Sequence, residues 1–160
     1  MNENFLKLIN NPLRFKLFML TKLPAAYFSG LRLNEANAQQ CTVTVPYKWL
    51  TRNPFGSTYF ASLAMAAEMS TGVLALGYIY KSNPAVSMLV VGLTATYHKK
   101  AVGITSFTCS DGAAFSEAIK KAKEEKISTT VISKSIGVNN ASEKVAEFEI
   151  TWSFREKASK

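Results

Sequence analysis

Residues 53–80, NPFGSTYFASLAMAAEMSTGVLALGYIY, form a run of small and apolar side chains in which Glu68 is the only charged residue. From about residue 58 to 79 the run is rich in Ala, Leu and Met, which favour helices. A helix that is apolar on all sides has to be buried by other elements. The segment therefore predicts one long central helix inside a larger domain.

Six segments around this helix have the alternating or β-branched composition of strands. The pattern is clearest in residues 146–154, where apolar and polar side chains alternate, so that one face meets a core and the other meets water. The predicted strands are 31–33, 40–45, 86–98, 102–110, 127–138 and 143–154, with a charged helix near 113–126. This order predicts an α+β domain whose mostly antiparallel sheet curls around the central helix.

Residues 1–28 are predicted to form a helical extension, and residues 29–160 the main domain. Asn11-Pro12 divides the extension into two short helices, because Asn is a common N-cap and Pro suits the first helical position. The second helix mixes basic residues with Phe15, Leu17, Phe18 and Leu20. We expect these apolar residues to pack on the domain; the alternative is a basic amphipathic helix that lies on a membrane.

The charge balance suits an anionic partner, since 19 Lys and Arg residues against 11 Asp and Glu residues give a formal net charge of +8. The basic residues are scattered, and no nucleic-acid-binding motif accompanies them, so nucleic acid is not expected as a partner. The N-terminus lacks the basic and unbroken apolar regions of a signal peptide, and we expect a cytoplasmic protein.

The remaining reactive side chains predict no cofactor or metal site. Cys41 and Cys109 lie far apart and match no metal-binding spacing, so buried, reduced thiols are expected. His98 is the only histidine, and without a second one a metal site is not expected. We interpret His98 as an exposed residue at the end of a strand.

Glu68 lies in a stripe of small residues, which would let a ligand or another chain approach the helix backbone. Its helical neighbours are Ala61, Ala64, Thr71, Gly72 and Ala75. A membrane span is disfavoured, because a central carboxylate is costly in lipid. A structural Glu, paired with a buried Lys or with backbone amides, is one interpretation. The favoured one is a functional carboxylate whose pKa is raised by desolvation, which suits a base or nucleophile.

The loop that precedes the helix, Asn53-Pro54-Phe55-Gly56-Ser57, supplies the second half of a candidate site. Gly56 permits unusual backbone angles, and Ser57 can cap the helix. The first amides of a helix are free donors at the positive end of its dipole, and they can stabilise a developing oxyanion. The alternative interpretation is an ordinary Asn-Pro turn with an N-cap.

Together these residues resemble the motif of hotdog-fold acyl-CoA thioesterases of the phenylacetate-degradation type. In that family Asn-x-x-Gly-Thr-x-His-Gly-Gly precedes an acidic residue inside the central helix. Asn53 and Gly56 match, Ser57 replaces Thr, and Glu68 falls fifteen residues after Asn53, where the catalytic carboxylate lies in the family. The resemblance extends over about residues 29–154 and is closest to an uncharacterised bacterial subfamily; it implies a hotdog fold.

The resemblance also implies an activity, the hydrolysis of acyl-CoA or another acyl thioester without any cofactor. Glu68 would be the general base or nucleophile, Asn53 would orient the carbonyl or the water, and Tyr59 would donate a hydrogen bond to the thioester carbonyl. The residues expected to bind the substrate are Gly56, Ser57, Phe60, Ala61, Thr71 and Gly72, with Lys99 and Lys100 for the phosphates of coenzyme A.

Two further expectations follow from the resemblance. The chain should form a homo-oligomer, either a dimer or a dimer of dimers, with sites at the subunit interface; exposed strand edges need such pairing or protection. Tyr59, Phe60 and Ala61 occupy the His-Gly-Gly positions of the family motif. This departure leaves open a non-catalytic protein that binds or senses acyl thioesters.

Overall fold

The computed structural model describes residues 1–157 and has six helices and six strands there, counting one short 3-10 turn among the helices. Residues 158–160 of the predicted domain 29–160 lie outside the described residues. The elements in chain order are α1 Glu3–Ile9, α2 Pro12–Lys22, α3 Pro24–Ser29, β1 Arg32–Ala36, β2 Cys41–Pro46, the 3-10 turn Trp49–Thr51, α4 Phe60–Ile79, β3 Val86–Tyr97, β4 Ile104–Cys109, α5 Gly112–Glu124, β5 Thr129–Val138 and β6 Lys144–Glu156.

The six strands form one curled antiparallel sheet in the order β1-β2-β4-β5-β6-β3, with β1 and β3 at its edges. The predicted α+β class is confirmed. In β6, Phe148, Ile150 and Phe154 are fully buried and Trp152 nearly so, as the alternating pattern predicted. Their shared face packs against α4, which the sheet surrounds.

The central helix α4 is long and apolar enough to cross a membrane by length and composition, but most of it is buried in this domain. Thirteen of its 20 residues are buried, on several sides of the helix. Its high apolar content is therefore explained by its place in the core, between the sheet and the other helices. This is the position that the sequence predicted for it.

The N-terminal helices are packed on the domain, with Phe5, Phe15 and Met19 in the core. Asn11 caps α2 by accepting a hydrogen bond from the amide of Arg14 at 3.0 Å, as predicted. The expectation that Leu17 and Leu20 also pack inward is wrong. They are 61% and 39% exposed, because α2 turns the face that carries Phe15 and Met19 toward the core.

The two cysteines are free and buried, as expected, and they lie directly opposite each other on β2 and β4. Burial raises the pKa of both thiols, to about 12 for Cys109. Both are therefore neutral thiols at physiological pH and serve the core as small apolar residues.

Candidate functional site

The loop before α4 is held in shape by the side chain of Asn53. Its Oδ1 accepts hydrogen bonds from the amides of Phe55 at 3.0 Å and Ser57 at 3.2 Å, and its Nδ2 donates to Ser57 Oγ at 3.1 Å. Gly56 adopts the left-handed backbone conformation, with φ 73°, that only Gly adopts without strain. The side chain of Asn53 is thus committed to its own loop, as in the ordinary-turn interpretation.

The prediction that Ser57 caps the central helix is wrong. α4 begins at Phe60, and its N-cap residue Tyr59 makes no side-chain capping bond. The cause is Thr58, whose amide and hydroxyl both donate to the carbonyl of Ala101, at 2.8 and 3.2 Å. These bonds hold the chain extended beyond Ser57, so the helix cannot begin there.

The first turn of α4 keeps free backbone donors. The amide of Tyr59 donates to the carbonyl of Thr51 at 2.6 Å, whereas no acceptor within residues 1–157 bonds the amides of Phe60 and Ala61. These N–H groups lie at the positive end of a 20-residue helix. A carbonyl oxygen placed against them would be polarised, and an oxyanion would be stabilised.

A cavity of about 550 Å³ opens beside this helix end. Six of the predicted site residues line it, namely Asn53, Ser57, Tyr59, Phe60, Lys99 and Lys100. Lys99 pairs with Glu143 at 2.5 Å, and Lys100 donates to the carbonyl of Phe55 at 3.1 Å. Both ammonium groups are exposed, so an anionic ligand can compete for them at little cost.

Glu68 lies outside that cavity, roughly 12 Å farther along the helix at a rise of about 1.5 Å per residue. Its side chain is largely buried, and desolvation raises the pKa of the carboxyl above the ordinary value of 4.5. Within residues 1–157 the carboxylate has no ion-pair partner and accepts no side-chain hydrogen bond. The structural interpretation, with a buried Lys as partner, therefore has no support in the described part of the chain.

The small residues after Glu68 make room for the indole ring of Trp152. A Cβ atom added to Gly72 would lie 3.1 Å from Glu68 Oε1 and 3.2 Å from the Trp152 ring. The indole Nε1 donates to Thr71 Oγ1 at 2.9 Å, and that hydroxyl donates to the carbonyl of Glu68 at 2.9 Å. Thr71 and Gly72 are buried, so this half of the stripe, expected to be open to a ligand, is covered by β6.

A second cavity, of about 240 Å³, adjoins the carboxylate of Glu68. One wall is formed by Met65, Glu68 and Met69 of α4, and the other by residues 22–26 at the junction of α2 and α3. Apart from Glu68 and Lys22, the lining residues are apolar. The N-terminal extension thus completes the surroundings of the candidate catalytic group.

Within one chain, the predicted site residues therefore fall into two separate groups. The loop, the helix N-terminus and the lysines meet at the larger cavity, and Glu68 lies at the smaller one. Tyr97, at the end of edge strand β3, lines the larger cavity, and Trp152, on the neighbouring strand β6, touches the helix one turn after Glu68.

The sequence-based reasoning missed Trp152, Met65, Met69 and the α2–α3 junction as neighbours of Glu68. Trp152 was recognisable only as a core residue of an alternating strand, and its indole N–H, which needs a partner when buried, was the one available hint. Nothing in the sequence links residues 22–26 to α4. Their contact depends on how the extension folds back over the helix.

Comparisons with known proteins now place the chain in a family. The profile of a domain of unknown function, DUF4442, matches residues 13–154. The chain belongs to the DUF4442 family. No curated protein sequence matches this DUF4442 chain at a significant level.

Solved structures show which fold the DUF4442 chain has. PA5026 of Pseudomonas aeruginosa, a protein of unknown function described as a probable thioesterase, is 19% identical with a TM-score of 0.78 over 92% of this chain and 97% of its own. OLEI01261 of Chlorobaculum tepidum, of unknown function, is 16% identical with a TM-score of 0.74 over 90% and 93%. Thioesterase HI1161 of Haemophilus influenzae is 11% identical with a TM-score of 0.65 over 88% of both chains. These similarities confirm the hotdog-type fold.

Proposed function

We propose that this DUF4442 protein is an acyl-thioester hydrolase that acts on acyl-CoA, with Glu68 as the catalytic carboxylate. The observation that carries the proposal is the state of Glu68, which is largely buried, unpaired and adjacent to a mostly apolar cavity. Keeping an unpaired carboxylate in such a place costs stability, and sites that bear this cost are candidates for chemistry. The thioesterase descriptions of PA5026 and HI1161, which share the fold, support this assignment.

The site is proposed to be completed by a second copy of the chain. Edge strand β3 is 12 residues long, pairs on one side only among residues 1–157, and carries no charged residue that would discourage further pairing. Leu93 and Tyr97 lie opposite Ile150 and Ala146 on β6, hence on the helix side of the sheet, yet they are 49% and 47% exposed. A second β3 strand, paired antiparallel, would cover them and place both α4 helices on the same face.

The reaction divides between the two parts of the site, which must come from different copies of the chain, because within one chain they lie roughly 12 Å apart. One copy would supply the helix N-terminus and the other would supply Glu68. The amides of Phe60 and Ala61 would bind the thioester carbonyl oxygen as its negative charge develops. Glu68 would take a proton from water as the water oxygen bonds to the carbonyl carbon; the C–S bond then breaks, and the proton goes to the departing thiolate. The products are a carboxylic acid and the free thiol. Direct attack by Glu68, through an anhydride that water then hydrolyses, is the nucleophilic alternative.

Coenzyme A is proposed as the leaving group because of the charge at the larger cavity. Lys99 and Lys100 lie at its rim and are exposed, and the whole chain carries a formal charge of +8. These ammonium groups would attract the phosphate groups of coenzyme A, so that the substrate binds at the rim before its acyl end reaches the helix N-terminus. The reaction needs no cofactor besides this leaving group.

A second function, binding of acyl thioesters without hydrolysis, is favoured by one observation. The rings of Tyr59 and Phe60 pack edge to face at 4.8 Å in front of the α4 N-terminus, where the resembling thioesterase motif has His and Gly. Bulky side chains there narrow the approach to the free amides. A ligand could then be held in the cavity without reaching the geometry needed for reaction.

One experiment separates the two functions. The protein is incubated with acyl-CoA substrates of increasing chain length, while released thiol is detected colorimetrically and thermal stability is followed in parallel. Thiol release above the uncatalysed rate, lost in Glu68→Gln, supports hydrolysis. A rise in melting temperature without thiol release supports the binding protein. Neither effect with any acyl-CoA would contradict both functions.

A further inference from the structure

The outer face of α2 is an exposed apolar surface that the proposed function does not use. Leu13, Leu17 and Leu20 are 78%, 61% and 39% exposed. Their spacing of four and three residues places them in one stripe on the helix. The stripe lies opposite Phe15 and Met19, which hold the helix to the core. Because the inner face packs on the core, the outer leucine stripe remains exposed to solvent.

Basic residues flank this leucine stripe on both sides. At 100° per residue, Lys16 falls on one border of the stripe and Arg14 on the other. Both are exposed, and no acidic residue occurs in α2 or α3. An apolar stripe with cations along its borders is the pattern of helices that lie in the plane of an anionic membrane surface.

The charge of the surrounding segment has the same sign. Between Glu3 and Glu35 the chain has no acidic residue, and its basic residues are Lys7, Arg14, Lys16, Lys22 and Arg32. More than half of the net charge of +8 therefore comes from this N-terminal stretch. A two-fold contact between two copies would bring these cations against one another, which disfavours a second copy as the occupant of the stripe.

We propose that the outer face of α2 docks on an anionic lipid bilayer, with Leu13, Leu17 and Leu20 inserted at the headgroup boundary and Arg14 and Lys16 against lipid phosphates. The sequence by itself favoured packing of α2 on the domain, and the inner face does pack there. The outer face is a separate surface with its own partner. Docking does not depend on thioester hydrolysis, and the two can be tested apart.

The test is flotation of the full-length protein with vesicles. Vesicles of phosphatidylcholine alone are compared with vesicles that contain an equal part of phosphatidylglycerol. We expect binding to the anionic vesicles, weaker binding as salt rises, and little binding to phosphatidylcholine. Arg14→Gln/Lys16→Gln should weaken binding by roughly fivefold per charge, and Leu13→Gln/Leu17→Gln/Leu20→Gln should reduce it by about tenfold or more.

Two matched variants control for surface chemistry alone. Ile132→Gln alters a side chain that is 69% exposed on β5, and Lys120→Gln/Lys121→Gln removes two charges from α5. Both controls should bind vesicles like the unaltered protein. The proposal is overturned by absence of binding to anionic vesicles, by equal binding of the leucine variant, or by a change of oligomeric mass in that variant, which would mean that a second copy covers the stripe.

Discussion

Glu68 on α4 and Trp152 on β6 both approach Gly72: Glu68 Oε1 and the indole ring lie 3.1 and 3.2 Å from the position that a Cβ atom would occupy there. The indole is fixed by its hydrogen bond to Thr71 Oγ1 at 2.9 Å. The indole thus packs on α4 one turn after Glu68, and the cavity at the α2–α3 junction lies beside Glu68 itself. The surroundings of the candidate catalytic group are therefore built by a strand of the sheet and by the N-terminal extension as well as by α4.

We expect Glu68→Gln to lower thioester hydrolysis by roughly 10²–10⁴-fold, the usual contribution of a general base. The free energy of unfolding should stay constant or rise, because a neutral amide costs less to bury than an unpaired carboxylate. Initial rates and melting temperatures are measured on the same preparation. Glu117→Gln, at an exposed Glu on α5, is the matched control and should change neither quantity.

The two measurements together distinguish catalysis from structure. If Glu68 had a buried cationic partner, the Gln variant would leave that cation unpaired and lose about 3–5 kcal/mol of stability. A strongly destabilised variant whose folded fraction is fully active would therefore show that Glu68 serves the core and not the reaction.

The raised pKa of Glu68 predicts a pH dependence of stability. In the unfolded chain the carboxyl loses its proton near the ordinary value of 4.5, and in the folded chain it does so at higher pH. Stability from this group is therefore greatest below that value and falls as pH rises through the folded pKa. Denaturant titrations of the native protein and Glu68→Gln across this range should show the fall only in the native protein.

Hydrolytic activity should rise with pH, whereas stability falls, because the carboxylate form of Glu68 is the base or nucleophile. We expect kcat to rise with pH through the raised pKa of Glu68, with a midpoint above that of an exposed Glu. A profile that shows no rise with pH above the ordinary value of 4.5 would contradict this assignment, since an essential carboxylate must lose its proton to act.

Because β3 is a long edge strand without charged residues, we expect the protein to form an oligomer through it. Light scattering of the native protein should give a mass of at least two chains. Leu93→Lys places a charge on the helix side of the edge strand, beside the proposed partner, and should shift the mass toward one chain and lower activity together. Ile132→Lys, on a strand inside the sheet, is the control. A native protein that is folded, active and monomeric would contradict a shared site.

The sequence predicted the features that depend on local residue patterns, but not those that depend on contacts between residues far apart in the chain. The strand at 143–154 and the helix at 58–79 have local patterns, and both were found with ends within about two residues of β6 and α4. α4 begins two residues later than predicted because Thr58 is held by Ala101, 43 residues later in the chain. Contacts between residues so far apart in the chain are not visible in a local sequence pattern.

The candidate site shows the same limit. Asn53, Gly56 and Ser57 form a local loop, and their spacing identified it. The wall beside Glu68, formed by Trp152 and residues 22–26, is assembled from the far end of the sheet and from the N-terminal extension. The sequence also could not predict which α2 side chains are buried, because the helix is apolar on two faces and only packing decides which face meets the core.

The two faces of α2 allow a final prediction about stability. Met19 is 3% exposed in the core, and Leu17, two positions earlier on the same helix, is 61% exposed. Met19→Ala should lower the free energy of unfolding by about 2–5 kcal/mol, because it removes a packed side chain and leaves a cavity. Leu17→Ala should change it by no more than about 0.5 kcal/mol. Denaturant unfolding of both variants measures the difference, and equal losses would mean that α2 is seated the other way round, with its leucine stripe against the core.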